Sequence, residues 1–336
     1  MKWLHFYLLL VFVFSTSPTT ATVIIDKKDL KLFNLHPLRI IPSELTPTRI
    51  EYSNHSMTQI KAYIEKNNEI INITSPIQLS ECLGDKVTVI QEMNSHLFSI
   101  SVQKNKYYKI KAEIKCDMEN HLFFKSDSPE GELVQIWQIL SLAENFFKNI
   151  QRIQFWQNKI NVQWPSRGDY YWQDVNITNG QHWDVVAHEL GHAIYDQAKI
   201  GKFGGGAHKI DECYNSNLAL SEGWATFFAG WITLDLHAPD PAFEYLVPRR
   251  APIQIENVPP DRCKGPTNEW RVSSYLWDIV DYHSENIYEN TNLPFTTLWD
   301  VFQNGDYNNI NEIHENINFI FTDKSLIDYL WQFNFE

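Results

Sequence analysis

The sequence predicts an α+β protein, in which a β-rich N-terminal part precedes a mainly helical part. Short segments with alternating apolar and polar residues recur in the first third of the chain, and helical spacing of apolar residues begins at Glu132. With 336 residues, 43% of them hydrophobic, the chain is long enough for two domains. We expect a signal peptide at 1–21 and domains at 22–128 and 129–336.

Residues 1–21 have the pattern of a secretory signal peptide. Lys2 is the only Lys, Arg, Asp or Glu among them, an apolar run follows it, and Thr19-Thr20-Ala21 offers small residues for cleavage. The run is short for a membrane span. We therefore expect a secreted protein without a stable membrane span after signal cleavage.

Four cysteines in an exported chain predict two disulfides. Separation along the chain favours Cys82 with Cys116 and Cys213 with Cys263, and the second bridge would hold the segment 200–217. Ligation of zinc by cysteine is the rival interpretation, but the chain has no C-x-x-C pair. Sequons that fit a secreted glycoprotein begin at Asn54, Asn72 and Asn176.

The N-terminal domain is predicted to be a small β-sandwich without a chemical motif of its own. Alternating segments predict strands at 69–74, 86–91, 96–103, 107–115 and 121–125. This domain could be a pro-region or a binding module. Pro129 lies near the start of a predicted helix that continues to Ile150. Two further strands, 159–165 and 170–178, are expected around a turn at 167–169.

The motif that decides the interpretation is His188-Glu189-Leu190-Gly191-His192, an H-E-x-x-H run. Its surroundings have helical periodicity, with a predicted buried stripe of Val185, Val186, Leu190, Ala193 and Ile194. On a helix, residues four apart share a face, so both imidazoles can bind one metal ion. Glu189 can then act as a general base on a metal-bound water.

A hydrolytic zinc site needs a third protein ligand, and two glutamates compete for that position. A third histidine at the spacing H-E-x-x-H-x-x-G-x-x-H is excluded, because Tyr195 and Ala198 occupy the two key positions. Glu212 lies in a predicted loop. Glu222 opens an apolar, helix-like run that Ser221 could cap, so it needs a cationic partner. We favour Glu222, although a glutamate in a first helical turn is also favoured by the helix dipole.

The pair of motifs His188-Glu189-x-x-His192 and Ser221-Glu222-Gly223-Trp224-Ala225 resembles the gluzincins, the thermolysin-like metallopeptidases. The resemblance implies a zincin-like catalytic domain with His188, His192 and Glu222 as ligands of one Zn²⁺ per chain, and Glu189 as catalytic base. It also implies an edge strand ahead of the metal helix that pairs with extended substrate. The spacer from His192 to Glu222 is longer than in thermolysin, whose spacing points to Glu212.

A second departure from the gluzincin pattern concerns the residues around the ligands. Thermolysin-type enzymes carry an aspartate one turn after the ligand glutamate, where this chain has Thr226. Asp184 or Asp196, each one turn from a ligand histidine, could support the imidazoles instead. The donor that stabilises the tetrahedral oxyanion is left open among candidates that include Tyr275, Tyr282 and His283.

These features predict a zinc metallopeptidase that acts on peptide or protein substrates. An endopeptidase is expected, since no motif for capturing a free amino terminus is found. A zinc hydrolase of non-peptide amides or esters, or a catalytically silent binding protein on a protease scaffold, are the alternatives. A net charge of −13 argues against nucleic acid as a partner. The sequence does not determine the oligomeric state.

Overall fold

A computed structural model of the chain describes residues 23–24, 58–66, 69–72, 77–79, 86–103, 106–116, 119–126, 128–247, 252–282 and 293–336. The predicted signal peptide, Asn54, Cys82 and His283 lie outside these ranges. The described residues form seven α-helices and several small sheets, which confirms the α+β class. No helix in these ranges is long and apolar enough to cross a membrane.

The described chain forms two compact units, and the first contains its residues up to Gln138 with 161–166 and 178–181. Its first strands are β1 (Val23–Ile24), β2 (Thr58–Lys66), β3 (Glu69–Asn72), β4 (Ile77–Leu79), β5 (Lys86–Glu92), β6 (Phe98–Gln103), β7 (Lys106–Tyr107), β8 (Lys109–Lys115) and β9 (Glu119–Lys125). Each of the five segments predicted to be a strand in this region therefore overlaps an observed strand.

These strands form several small sheets, which differ in the order and direction of their strands. β8 lies between β1 and β5, β2 lies between β3 and β4, and β6 pairs with β7. Along β8, Ile110, Ala112 and Ile114 are buried while the residues between them are exposed, as the alternating sequence predicts. β2 and β9 pair in parallel, a pairing that an all-antiparallel sandwich does not contain.

Helix α1 (Pro129–Asn149) begins at the predicted proline. Ser128 Oγ accepts a hydrogen bond from the Gly131 N–H at 3.1 Å, which caps the helix. The strands that follow are β10 (Ile160–Gln163), β11 (Tyr170–Trp172) and β12 (Asp174–Asn176). The prediction of one strand at 170–178 is wrong, because Gln173, with φ of 61°, folds it into the β11–β12 hairpin.

The second unit is mainly helical and contains 139–160, 167–177 and 182–336 in their described parts. Its elements are α2 (Trp183–Ala198), α3 (Ser216–Thr233), β13 (Ala242–Phe243), β14 (Ile253–Gln254), α4 (Glu269–Asp278), α5 (Phe295–Phe302), α6 (Ile310–Ile320) and α7 (Lys324–Phe335). An aromatic cluster fills its core with Phe147, Phe155, Trp224, Phe228 and Trp299, all buried and in ring contact.

Two glycines bring three helices of this unit close together. A Cβ on Gly191 of α2 would lie 3.0 Å from the Ala225 Cα of α3, and a Cβ on Gly223 of α3 would lie 2.6 Å from the Val272 side chain of α4. Positions 223 and 225 face opposite sides of α3, because each residue turns the helix by about 100°. Helix α3 is therefore held between α2 and α4.

Candidate metal centre

Helix α2 buries the stripe that its sequence predicts and directs both motif histidines toward α3. Val186, Leu190 and Ile194 are fully buried, and Val185 and Ala193 are nearly so. His188 and His192 lie one turn apart, with ring centroids 4.7 Å apart and planes at 87°. The two rings therefore share a helix face, as the four-residue spacing requires.

Helix α3 starts earlier than the sequence suggested. It begins at Ser216, and the Asn215 side chain caps it by accepting a hydrogen bond from the Leu218 N–H at 2.9 Å. The predicted capping by Ser221 is wrong, because its hydroxyl lies inside the helix and donates to the Leu218 carbonyl. Glu222 thus lies beyond the first turn, so a favourable helix dipole does not explain its burial.

The carboxylate of Glu222 meets both histidines. Its Oε2 lies 3.1 Å from His188 Nε2 and 3.1 Å from His192 Nε2. One ligand atom from each of the three residues lies within 4.8 Å of the others, as a metal-binding group requires. Burial acts against the charge of Glu222, but the two imidazoles outweigh it and hold its pKa well below the usual range.

The competing ligand, Glu212, is not part of this group. Its carboxylate pairs with Lys209 and accepts a hydrogen bond from the Tyr214 hydroxyl at 3.0 Å, on an exposed surface. These contacts lower the pKa of Glu212, with the Lys209 hydrogen bond as the main cause. The longer spacer to Glu222 is accommodated by the loop between α2 and α3.

Thr226 orients His188, and neither candidate aspartate does. The Thr226 Oγ1 lies 3.1 Å from His188 Nδ1, one turn after Glu222. When Nε2 presents its lone pair to a metal, Nδ1–H donates to this hydroxyl and fixes the tautomer. Asp184 instead accepts hydrogen bonds from the N–H groups of residues 244–246, and Asp196 accepts one from the Tyr171 hydroxyl.

Glu189 is buried beside the metal-binding group. It is 8% exposed, and burial raises the pKa of its carboxyl to about 7, with Glu222 adding to the shift and His188 opposing it. A pKa near neutral pH suits a group that accepts and donates a proton. It lies on the same helix as the two histidines, so the motif itself places it.

His208 and Glu269 are residues of the site that the sequence reasoning missed. The His208 Nδ1 lies 2.7 Å from Glu269 Oε2, and its Nε2 lies 3.6 Å from Glu222 Oε1. The hydrogen bond to Glu269 is the main cause that raises the pKa of His208 to about 9. The sequence signal that could have pointed to His208 is its position just after the glycine-rich segment 204–206, in the loop that follows the motif helix.

The described candidates for the oxyanion donor, Tyr275 and Tyr282, contact other histidines of the unit. Tyr275 is fully buried, and its hydroxyl lies 2.8 Å from His314 Nδ1 in the core. Tyr282 is exposed and stacks on His237. His283 lies outside the described residues.

The disulfide next to the site is the predicted one. Cys213 and Cys263 are bonded and join the loop between α2 and α3 to the segment before α4. Cys116 is also disulfide-bonded, but the pairing with Cys82 stays a prediction because Cys82 is not described. Asn176 is buried and its amide donates to the Asp174 carbonyl, so this sequon does not present an accessible glycan acceptor.

Two imidazole nitrogens and one carboxylate oxygen form a donor set that suits a borderline-soft divalent ion such as zinc. Comparison with known proteins found no match to any family model, curated protein or solved structure. The function is therefore inferred from the metal-binding group and from Glu189 beside it.

Proposed function

We propose that this protein is a secreted zinc metallopeptidase similar to the gluzincins, and that it cleaves peptide or protein substrates internally. The observation that carries the proposal is the position of Glu222 Oε2, which lies 3.1 Å from the Nε2 atoms of both motif histidines. Glu189 is buried beside them. The Cys213–Cys263 disulfide is compatible with an oxidising compartment outside the cytosol.

His188, His192 and Glu222 would hold zinc as a three-ligand set. Such sets leave a coordination position for water or substrate, whereas structural zinc sites have four protein ligands. When bound, zinc supplies a Lewis acid that activates a water molecule and polarises the substrate carbonyl. Thr226 supports this arrangement by fixing the tautomer of His188.

Glu189 would carry the proton through the reaction. Its carboxylate accepts a proton from the attacking water and donates it to the leaving amine nitrogen. Burial beside the ligands keeps bulk water away from this carboxyl and holds its position on α2. The same residue thus acts first as base and then as acid.

The β11–β12 hairpin would supply the surface for an extended substrate. It packs against α2, with Tyr171 hydrogen-bonded to Asp196 at 2.7 Å. Tyr170 and Trp172 on β11 are 50% and 75% exposed. Strand addition at such an edge binds a peptide backbone without demanding a particular sequence.

The proposal is tested with a peptide library at neutral pH, using the full-length zinc-loaded protein and its Glu189→Gln variant. We expect the wild type to cleave peptides and Glu189→Gln to lose roughly 10²- to 10⁴-fold in rate while it retains zinc. Glu212→Gln is the matched control, since this exposed carboxylate lies outside the site, and should cleave like the wild type.

Absence of cleavage by the zinc-loaded wild type would reject the peptidase proposal. Hydrolysis of non-peptide amides or esters, lost again in Glu189→Gln, would then identify a zinc hydrolase of another substrate class. Equal rates of peptide cleavage in wild type and Glu189→Gln would show that Glu189 is not the base.

A further inference from the structure

His208 lies between two carboxylates, one of which belongs to the metal-binding group. Its Nδ1 is 2.7 Å from Glu269 Oε2, a hydrogen-bond distance, and its Nε2 is 3.6 Å from Glu222 Oε1, an ion-pair distance. A carboxylate oxygen accepts hydrogen bonds, so the Nδ1–H of His208 donates to Glu269, and Nε2 is left to face Glu222 Oε1. The His208 side chain is 29% exposed and that of Glu269 only 6%.

The loop that carries His208 is fixed in place on the α4 side. Asn268 caps α4 by accepting from the Arg271 N–H, while its amide donates to the Ile210 and Glu212 carbonyls, each at 2.9 Å. The Cys213–Cys263 disulfide joins the same two segments. Glu269 directly follows Asn268, and His208 lies two residues before Ile210. The contacts of Asn268 therefore bring His208 and Glu269 together.

The two oxygens of Glu222 have different partners. Oε2 faces the Nε2 atoms of His188 and His192, whereas Oε1 faces His208. A carboxylate ligand can bind a metal through one oxygen or through both. An interaction that engages Oε1 favours binding through Oε2 alone, which leaves the remaining coordination position for water.

We propose that His208, oriented by Glu269, is a positioning residue that engages Glu222 Oε1 and keeps Glu222 a one-oxygen metal ligand. The inference rests on the metal site of the proposed function and is independent of whether the protein cleaves peptides. His208 acts through Glu222, and Glu269 acts through His208. The pair would thereby increase metal affinity and limit the number of protein ligand atoms.

The first test is the zinc affinity of the full-length protein, measured by competition with a chromophoric chelator. We expect His208→Ala to bind zinc about 10- to 100-fold more weakly than the wild type, the usual effect of removing a residue that supports a metal ligand. His208→Gln keeps a donor and should recover part of this loss. His237→Ala, which changes an exposed histidine elsewhere in the unit, is the control and should bind like the wild type.

The second test is the visible absorption of the Co²⁺-loaded protein, which is intense for four-coordinate cobalt and weak at higher coordination. Release of Oε1 in His208→Ala should lower the band intensity as Glu222 binds through both oxygens. Glu269→Gln, which keeps the size of the side chain but removes its charge, should change the spectrum in the same direction. Unchanged thermal unfolding midpoints of the metal-free variants confirm that they are folded.

The outcomes separate this inference from the proposed function. Weaker zinc binding and a changed Co²⁺ spectrum in His208→Ala support the inference even when the wild type cleaves no peptide. Zinc affinity and Co²⁺ spectrum equal to those of the wild type would overturn it, even when peptides are cleaved. A wild type that binds neither metal would overturn both.

Discussion

Buried carboxyl groups in this protein differ in the groups that compensate for their burial. Asp184 accepts three backbone hydrogen bonds at Oδ2, yet its burial still raises its pKa. Glu222 faces two imidazoles, which hold its pKa low, whereas burial dominates at Glu189. The residue type alone therefore does not determine the charge; the surrounding donors and charges do.

Glu132 gives a pH-dependent prediction in the first unit. It is fully buried, and its Oε2 accepts hydrogen bonds from Trp164 Nε1–H at 2.9 Å and the Gly180 N–H at 2.7 Å, while Oε1 has no partner among the described residues. Burial raises its pKa from 4.5 to about 7. Between about pH 4.5 and 7 the Glu132 carboxyl is thus protonated in the folded state and ionised in the unfolded state. The proton can lie on Oε1, which has no hydrogen-bond partner among the described residues.

A pKa raised in the folded state makes the ionised form destabilising, so stability falls as pH rises from about 4.5 to about 7. Across this window we expect the unfolding free energy of the wild type to fall by up to about 3 kcal/mol relative to that of Glu132→Gln, which lacks the titrating group. Urea unfolding at several pH values measures the difference. Glu113→Gln, which removes a carboxylate from the exposed face of β8, controls for net charge; a pH-independent difference for Glu132→Gln would contradict the prediction.

At the scale of elements, the site depends on close crossings of α2, α3 and α4. The glycines at these crossings directly precede or follow a candidate ligand: Gly191 precedes His192, and Gly223 follows Glu222. A glycine costs about 1 kcal/mol in a helix interior relative to alanine. Here the close packing of neighbouring helices explains its presence, because a Cβ at either position would meet atoms of the next helix.

Gly223→Ala is expected to destabilise the protein. The added Cβ would lie 2.6 Å from the Val272 Cβ and 2.7 Å from the Glu269 carbonyl oxygen, so α3 and α4 must move apart. Overpacking of this kind costs about 1–3 kcal/mol, which the gain in helix propensity offsets only in part. Chemical denaturation measures the loss. Gly205→Ala, with nothing within 4 Å of its Cβ, should be close to neutral, and equal stability of both variants would contradict the argument.

At the scale of the whole molecule, contacts distant in sequence assemble the candidate site. The second unit brings together α2, α3, the loop between them and the start of α4, and a disulfide that spans 50 residues holds two of these segments. A metal ion bound by α2 and α3 would cross-link them further. Because the unfolded chain does not hold the three ligands together, metal binding favours the folded state.

Metal removal is therefore expected to lower the stability of the full-length protein. Zinc at 100 times its dissociation constant adds about 2.7 kcal/mol to the unfolding free energy, and a chelator removes this contribution. Differential scanning calorimetry with zinc and with chelator measures the change in unfolding temperature. His192→Ala should show little response to either addition, and a wild type that also shows none would contradict metal binding at this site.

The α+β class, helix α2 and the grouping of His188, Glu189 and His192 follow from local patterns in the sequence. These are local properties, because the helical period alone places residues four apart on one face. Packing between elements was needed to choose Glu222 over Glu212, to place Thr226 beside His188 and to bring His208 to Glu269. Those choices depend on how closely α2, α3 and α4 approach, which is set by side-chain packing between elements and leaves no period in the sequence.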